Sequence, residues 1–341
     1  MPQTEITASV PALDESGRPQ NFGWARFPWF IYDRSRLTVP PRNISESDRY
    51  FIFSPTHLVV FEILDDGYLG YVGISIASLK DRKRSTHTVI TPFPLGSFDL
   101  PGDSETGSVK FRQKKNLLNF AAMGDGVKII KMDIPRYGHH RSLRGEVVLT
   151  PPPAAESLVT NTPWRGGRNA FCYSRHSPLY SVEGVIQFGT MELIFTRGNG
   201  WGIFDWNRGV RPRTDLRFWA AGCGQSEGRQ VGFSVGYNSA DSSQGTENAF
   251  SLDGRLHKLD QVTFHIPADR LAPWRFTSND NRLEMAFSPN QERDDNHQMF
   301  FYSLRRRQCF GFFSGRVTLD DGSEFPFQGL TGIAERRKSK L

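Results

Sequence analysis

The sequence predicts an all-β protein whose antiparallel sheets curl into sandwiches or barrels. Three observations carry this. Apolar residues recur at every second position, as in half-buried strands, while helical periodicity is hard to find. Aromatics reach 13%, led by 27 phenylalanines, and glycine (32) and proline (21) are plentiful, a mix that favours short strands and turns. Asp-Gly pairs fall between alternating runs, the composition of tight hairpins.

The elements follow in order. Val59, Phe61 and Ile63 share one face, Asp65-Asp66-Gly67 turns the chain, and Tyr68, Val72, Ile74 and Ile76 resume the alternation. Phe250 and Leu252 lead through Asp253-Gly254 to Leu256, after which Val262, Phe264 and Ile266 alternate. Leu259 falls on the wrong parity, so a bulge or break is expected near His257–Asp260, because a one-residue slip reverses every side chain. Leu283, Met285 and Phe287 form a further strand, expected to end at Ser288-Pro289. Val317 and Leu319 lead through Asp320-Asp321-Gly322 to Phe325 and Phe327, a hairpin of the same design as the first.

A chain of 341 residues suffices for two domains. Pro151-Pro152-Pro153-Ala154-Ala155 is the best boundary, since three prolines cannot join a central strand. We therefore expect an N-terminal β domain over 1–150, a C-terminal β-barrel domain over 156–335 and a basic tail over 336–341. With 38% hydrophobic and 23% charged residues the composition is that of soluble globular proteins. Much of the net charge of +6 sits in Arg305–Arg307 and in Arg336, Arg337, Lys338 and Lys340. No reader motif accompanies it, so no nucleic-acid partner is expected. No apolar run is long enough for a membrane segment, no secretory signal is visible, and three scattered cysteines fit a reducing, cytoplasmic location. Phosphate-loop and nucleophile-elbow motifs are missing, and the adjacent His139 and His140 cannot both ligate one metal from one strand face. No metal and no cofactor are expected. Nothing in the sequence sets an oligomeric state.

The densest chemistry lies in Gly200–Gly224, which mixes Trp201, Trp206 and Trp219 with Asp205, Asp215, Arg208, Arg211, Arg213 and Arg217. Buried charges need partners, so this is either a paired polar core or the wall of a ligand site. Asp205 and Arg208 stand on opposite faces of an ideal strand, but a turn at Asn207-Arg208-Gly209 would bring them together as an ion pair. Glu247 and Asn248 follow a Ser/Gly/Asp-rich loop. A carboxylate inside an apolar barrel would have its pKa raised and could act as a general acid. His257 suits proton shuttling near neutral pH. Each group has a structural alternative: a turn-locking ion pair, a loop-closing network, a hydrogen-bonded histidine. Glu335 either closes the last strand or pairs with Arg336 or Arg337.

Four segments carry a family resemblance: Gly202–Gly209 with Phe218–Gly224, Glu247–Leu259, Phe310–Gly315 and Gly329–Glu335. Gly23-Trp24-Ala25-Arg26 and Glu156-Ser157-Leu158 add to it. Together they resemble the domain-of-unknown-function family 2804, whose layout is similar to two-lipocalin-barrel proteins of the hydroxyneurosporene synthase (carotenoid hydratase) type. One departure is Arg211, where an aromatic is expected in many members. The resemblance implies two lipocalin-like barrels, or strongly curved antiparallel sheets, packed side by side. It further implies binding of an apolar small molecule, with cofactor-free acid/base conversion of the hydratase, isomerase or cyclase type. Asp205, Glu247 and His257 are then the candidate catalytic groups, with Arg208, Asn248, Trp206 and Trp219 as candidate ligand-binding residues. Two alternatives stand beside it: a non-catalytic lipid-binding or scaffold protein, and a carbohydrate-binding or glycoside-cleaving one using exposed tryptophans.

Overall fold

A computed structural model describes residues 3–137, 141–165, 167, 169–299 and 302–340. His139 and His140 lie outside them. In chain order the strands are β1 (Val10–Pro11), β2 (Gly23–Ala25), β3 (Phe30–Ile31), β4 (Ile44–Phe53), β5 (His57–Asp65), β6 (Leu69–Ser78), β7 (Arg84–Pro92), β8 (Thr106–Gln113), β9 (Asn116–Met123), β10 (Lys128–Tyr137), β11 (Arg141–Thr150), β12 (Leu158–Pro163), β13 (Phe171–Phe188), β14 (Met191–Phe195) and β15 (Trp201–Val210). Then come β16 (Thr214–Ser226), β17 (Arg229–Tyr237), β18 (Ala249–Leu252), β19 (Arg255–Lys258), β20 (Val262–His265), β21 (Trp274–Ser278), β22 (Leu283–Met299), β23 (Tyr302–Thr318) and β24 (Glu324–Lys340).

Apart from β1 and β3, which pair in parallel by themselves, they form two curled antiparallel sheets. The first runs β7-β6-β5-β4-β15-β13-β11-β10-β9-β8, with β12, β2 and β14 branching from β13. The second runs β19-β18-β17-β16-β24-β23-β22-β21-β20. In the first, curling brings the Tyr137 hydroxyl on β10 to 2.7 Å from the Ser85 carbonyl on β7, near the opposite edge. The second curls until Phe264 of β20 packs on Tyr237 of β17, their ring centroids 5.4 Å apart.

The hairpins form as the Asp-Gly turns predict, with Gly67, Gly254 and Gly322 all at positive φ. The wrong-parity Leu259 lies in the break between β19 and β20. Other expectations fail for local reasons. Ser288-Pro289 does not end its strand: β22 runs on to Met299, because Pro289 sits at a register shift where a bulge removes the need for its missing N–H. The triple proline does not part the sheets, since β12–β15 all join the first one and the chain changes sheet between Val210 and Thr214. Arg336–Lys340 are rungs of β24, not a free tail. The two basic runs of the sequence face each other, with Arg305, Arg306 and Arg307 paired in register to Lys338, Arg337 and Arg336.

The sheets pack through β4, β13 and β15 of one against β16, β17 and β24 of the other. Alternation then sends each side chain to one of two cores. Tyr50, Ile52, Phe204 and Trp206 enter the first sheet's own core. Phe51, Phe53, Trp201, Ile203, Trp219, Ala221 and Ile333 meet between the sheets. Ala220 and Ala334 enter the second sheet's core, among Phe233, Phe250, Phe276, Phe287 and Phe313. Strands buried on both faces carry almost no exposed position, as β4 and β15 show.

Glycines of three quoted motifs form one row across the second sheet, Gly222 beside Gly332 and Gly332 beside Gly311. A Cβ on Gly332 would lie 2.3 Å from the Ala221 carbonyl oxygen and 2.8 Å from the Phe313 ring. Substituting Gly332→Ala is expected to lower the unfolding free energy by about 1–3 kcal/mol through overpacking, read from the midpoint of a urea titration. An unchanged midpoint would show that the row has room for a methyl group.

Candidate functional site

Parity places a set of charges between the sheets. Arg49 continues the face of Phe51 and Phe53, Asp205 that of Trp201 and Ile203, Arg217 that of Trp219 and Ala221, and Glu335 that of Ile333. Asp205 is the middle of a rung, with His176 of β13 on one side and Arg49 of β4 on the other. Arg49 donates from Nε to Asp205 at 2.6 Å and from Nη1 to both oxygens of Glu335, at 2.9 and 3.0 Å, across the gap. His176 stands with Nδ1 2.9 Å from Asp205 and Nε2 3.7 Å from Glu247. Arg217 of the second sheet closes the ring, 3.1 Å from Glu247 and 3.6 Å from Asp205. Gln308 donates to Glu335 at 2.6 Å. Trp219 covers the cluster, with the guanidinium carbons of Arg49 and Arg217 5.0 and 5.8 Å from its ring centroid and its indole N–H given to Ser234.

These groups are all buried, so their ionisation rests on each other. Burial pushes Asp205 up, but Arg49, Arg217 and His176 outweigh it and hold the carboxyl well below the usual range. Burial likewise opposes ionisation of Glu247, and Arg217 with His176 brings it down to about 2. His176 loses affinity for its proton through burial and regains more from Asp205 and Glu247, ending above its ordinary value. Asp215 shows the opposite balance. Burial dominates Arg337 and Arg217, and its carboxyl rises to about 6.

Two cavities adjoin this cluster. A chamber of about 50 Å³ is lined by Asp66, Cys172, Arg208, Arg211, Asp215, Arg217, Glu247 and Arg337, among others. A larger pocket of about 660 Å³ opens at the end of the second sheet. Tyr237, Val262 and Phe264 give it an apolar wall, and Asn238, Glu247 and Asn248 a polar one. Asn238 and Glu247 line both spaces.

The predicted site residues therefore separate. Asp205 and Glu247, 42 residues apart in sequence, come together on one histidine and one arginine. Asn248 lines the pocket beside Glu247, yet its amide is engaged with the Gly236 N–H and the Asp260 carbonyl. Arg208 does not pair with Asp205. No turn forms at Asn207–Gly209, β15 runs straight on to Val210, and the two stay on opposite faces. Arg208 instead meets Asp48 at 2.9 Å and lies over Trp206 at 4.3 Å. Trp206 faces the first core and Trp219 the gap between sheets, so they share no cavity wall. His257 lies apart, its Nδ1 3.2 Å from the Asp320 N–H in the last hairpin turn. Glu335 is buried against Arg49 rather than paired at the surface. Sequence reasoning missed Arg49 and His176. The signal for Arg49 was a run of charges, Glu46, Asp48 and Arg49, abutting the unbroken apolar Tyr50–Phe53.

The family model for a domain of unknown function, DUF2804, matches residues 3–341, and the chain belongs to that family. No curated protein matches the sequence. Among solved structures it is similar to CghA with Sch210972, at a TM-score of 0.55 and 13% identity over 88% of this chain and 89% of that one. A second CghA structure gives 0.51 at 13% identity, over the same 88% and 89%. Kievitone hydratase from Nectria haematococca gives 0.46 at 12% identity, over 85% and 88%. The likeness to CghA is one of fold, and it matches the two-barrel layout.

Two outcomes are expected of the cluster. Asp205→Asn leaves Arg49 and His176 facing a neutral amide, and breaking a buried pair from one side costs about 3–5 kcal/mol; urea unfolding monitored by tryptophan fluorescence measures it. The pH profile of thermal stability is bounded on both sides. Asp205 and Glu247 titrate below their unfolded values, so their contribution is full above pH 4.5 and is lost as pH falls toward 2. His176 titrates above 6.5, so its contribution is full below that value and is lost as pH rises through the raised one. His176→Gln should remove the alkaline fall and leave the acid one, as melting curves across pH would show.

Proposed function

We propose that this chain binds an apolar small molecule bearing a polar group, seated in the 660 Å³ pocket at the end of the second sheet. The observation that carries the reading is the placement of Glu247. It is an ionised carboxylate fixed by Arg217 at 3.1 Å, and it forms part of a wall opposite Tyr237, Val262 and Phe264. A concave site of this size with an apolar wall and a few fixed polar groups suits a drug-sized ligand. CghA, which shares the fold, has been solved with Sch210972.

The geometry favours binding over turnover by the three groups the sequence singles out. A general acid or base needs a pKa near the working pH and reach to the substrate. Asp205 is sealed between Arg49, Arg217 and His176 and lines neither cavity. Glu247 is held ionised. His257 is elsewhere. The carbohydrate reading loses its platforms, because six of the seven tryptophans are buried.

Titration with the neutral fluorophore Nile red tests the reading. Saturable binding is expected. Tyr237→Ala should weaken it about tenfold, equivalent to about 1.4 kcal/mol, while Tyr237→Phe keeps it. Tyr237 is 42% exposed, so its loss should leave the fold intact. Non-saturable binding, or binding indifferent to Tyr237→Ala, overturns the proposal.

A further inference from the structure

The small chamber behind Glu247 holds polar atoms that have no hydrogen-bond partner among the described residues. Asp215 is buried on β16, and its Oδ1 has no hydrogen-bond partner among the described residues. The same is true of Nε of Arg217 and of Nε and Nη1 of Arg211. Both arginine side chains are more than nine-tenths buried. Native proteins rarely leave such groups unsatisfied, because each costs about 1–3 kcal/mol. The neighbouring charges are already matched. Asp66 faces Arg337 at 2.7 Å and Arg211 at 3.4 Å, and Glu247 has Arg217 and His176. Among the described residues, Asp215 is left without an ion pair of its own.

The complement of these groups is a ligand fragment that accepts hydrogen bonds from guanidinium N–H groups and shares a proton with a carboxylate. A carboxyl group does both, and its few atoms suit a space of about 50 Å³. Asn238 and Glu247 line both spaces, so a head group in the chamber and a tail in the larger pocket would meet at these two side chains. We infer that the ligand of the larger pocket is an apolar carboxylic acid, its head group in the chamber against Arg211, Arg217 and Asp215 and its tail against Tyr237 and Phe264. The inference rests on the binding function proposed above.

Two carboxyls in one buried site cannot both ionise at modest cost, so they share one proton, taken up from solvent on binding. The groups facing Asp215 do not remove that need: Arg217 on its own strand and Arg337 from β24 favour its ionisation, while Glu247 from the loop and Asp66 from the β5–β6 turn oppose it.

Isothermal titration calorimetry with decanoate, decan-1-ol and methyl decanoate, each in buffers of different ionisation enthalpy at pH 7, tests this. Decanoate should bind about tenfold or more tighter than the alcohol or ester and take up about one proton. In Asp215→Asn the proton uptake should vanish while decanoate still binds. In Arg211→Gln decanoate should lose its advantage and the alcohol should not change. Equal binding of all three, with no proton uptake and with Tyr237→Ala weakening each, overturns the carboxylate assignment and leaves the pocket standing. Failure of all three to bind overturns both.

Discussion

The contact on which the rest depends is the guanidinium of Arg49 held between Asp205 and Glu335. It ties β4 and β15 of one sheet to β24 of the other. Moving an ion out of water costs several kcal/mol even after relaxation. Such a charge persists only when its geometry is good and its remaining hydrogen-bonding sites are filled. Here Asp205 is shared with His176 and Arg217, Glu335 with Gln308, and the faces of the guanidinium with Trp219. Removing any one member leaves the others buried and unmatched. The cluster thus fixes how the two sheets sit on each other, which the apolar contacts alone would specify less sharply.

Most of the architecture was legible because its signals are local. The Asp-Gly turns, the period of two and the parity break at Leu259 each depend on a few neighbouring residues. The sheet boundary was not legible, because Pro151–Pro153 looks like a linker by composition while the true crossing at Val210–Thr214 has no breaker more striking than Pro212. Pro289 misled for a related reason: a bulge can absorb a proline, and a bulge is set by the partner strand. The charged cluster was half legible. Asp205 and Glu335 lie in the quoted motifs, Arg217 stands just before one of them, and Glu247 was singled out with a role. Their partners were not, since register between β4, β13 and β15 joins residues far apart in sequence. The Asp205–Arg208 pairing failed because the turn expected at Asn207-Arg208-Gly209 does not form, so the two keep the opposite faces that strand parity gives them.

The motif glycines and the motif charges turn out to have separate duties. Gly222, Gly311 and Gly332 leave bare backbone on which the rings of Phe233, Phe287 and Phe313 lie, with Phe313 packed on Phe287 at 4.3 Å and on Phe233 at 4.8 Å. That packing fills the inside of the second sheet with rings. Space for a ligand is therefore displaced to the end of the sheet, where the loop Asn238–Asn248 spans from β17 to β18 and the wall becomes mixed in polarity.

Glu247 joins these two duties. One of its oxygens faces Arg217, and the carboxylate as a whole belongs to the ion cluster that sets the sheet packing. Yet it also forms the partition between the chamber and the larger pocket. Under the proposed function, a group held this firmly would meet a ligand already oriented and already ionised, so its part of the ordering cost of binding would fall on folding instead. The same fixity makes it a poor proton carrier, because releasing or accepting a proton would unbalance Arg217 and His176 together. Preorganisation for binding and unsuitability for acid–base work are here one property, set by the charges around a single carboxylate.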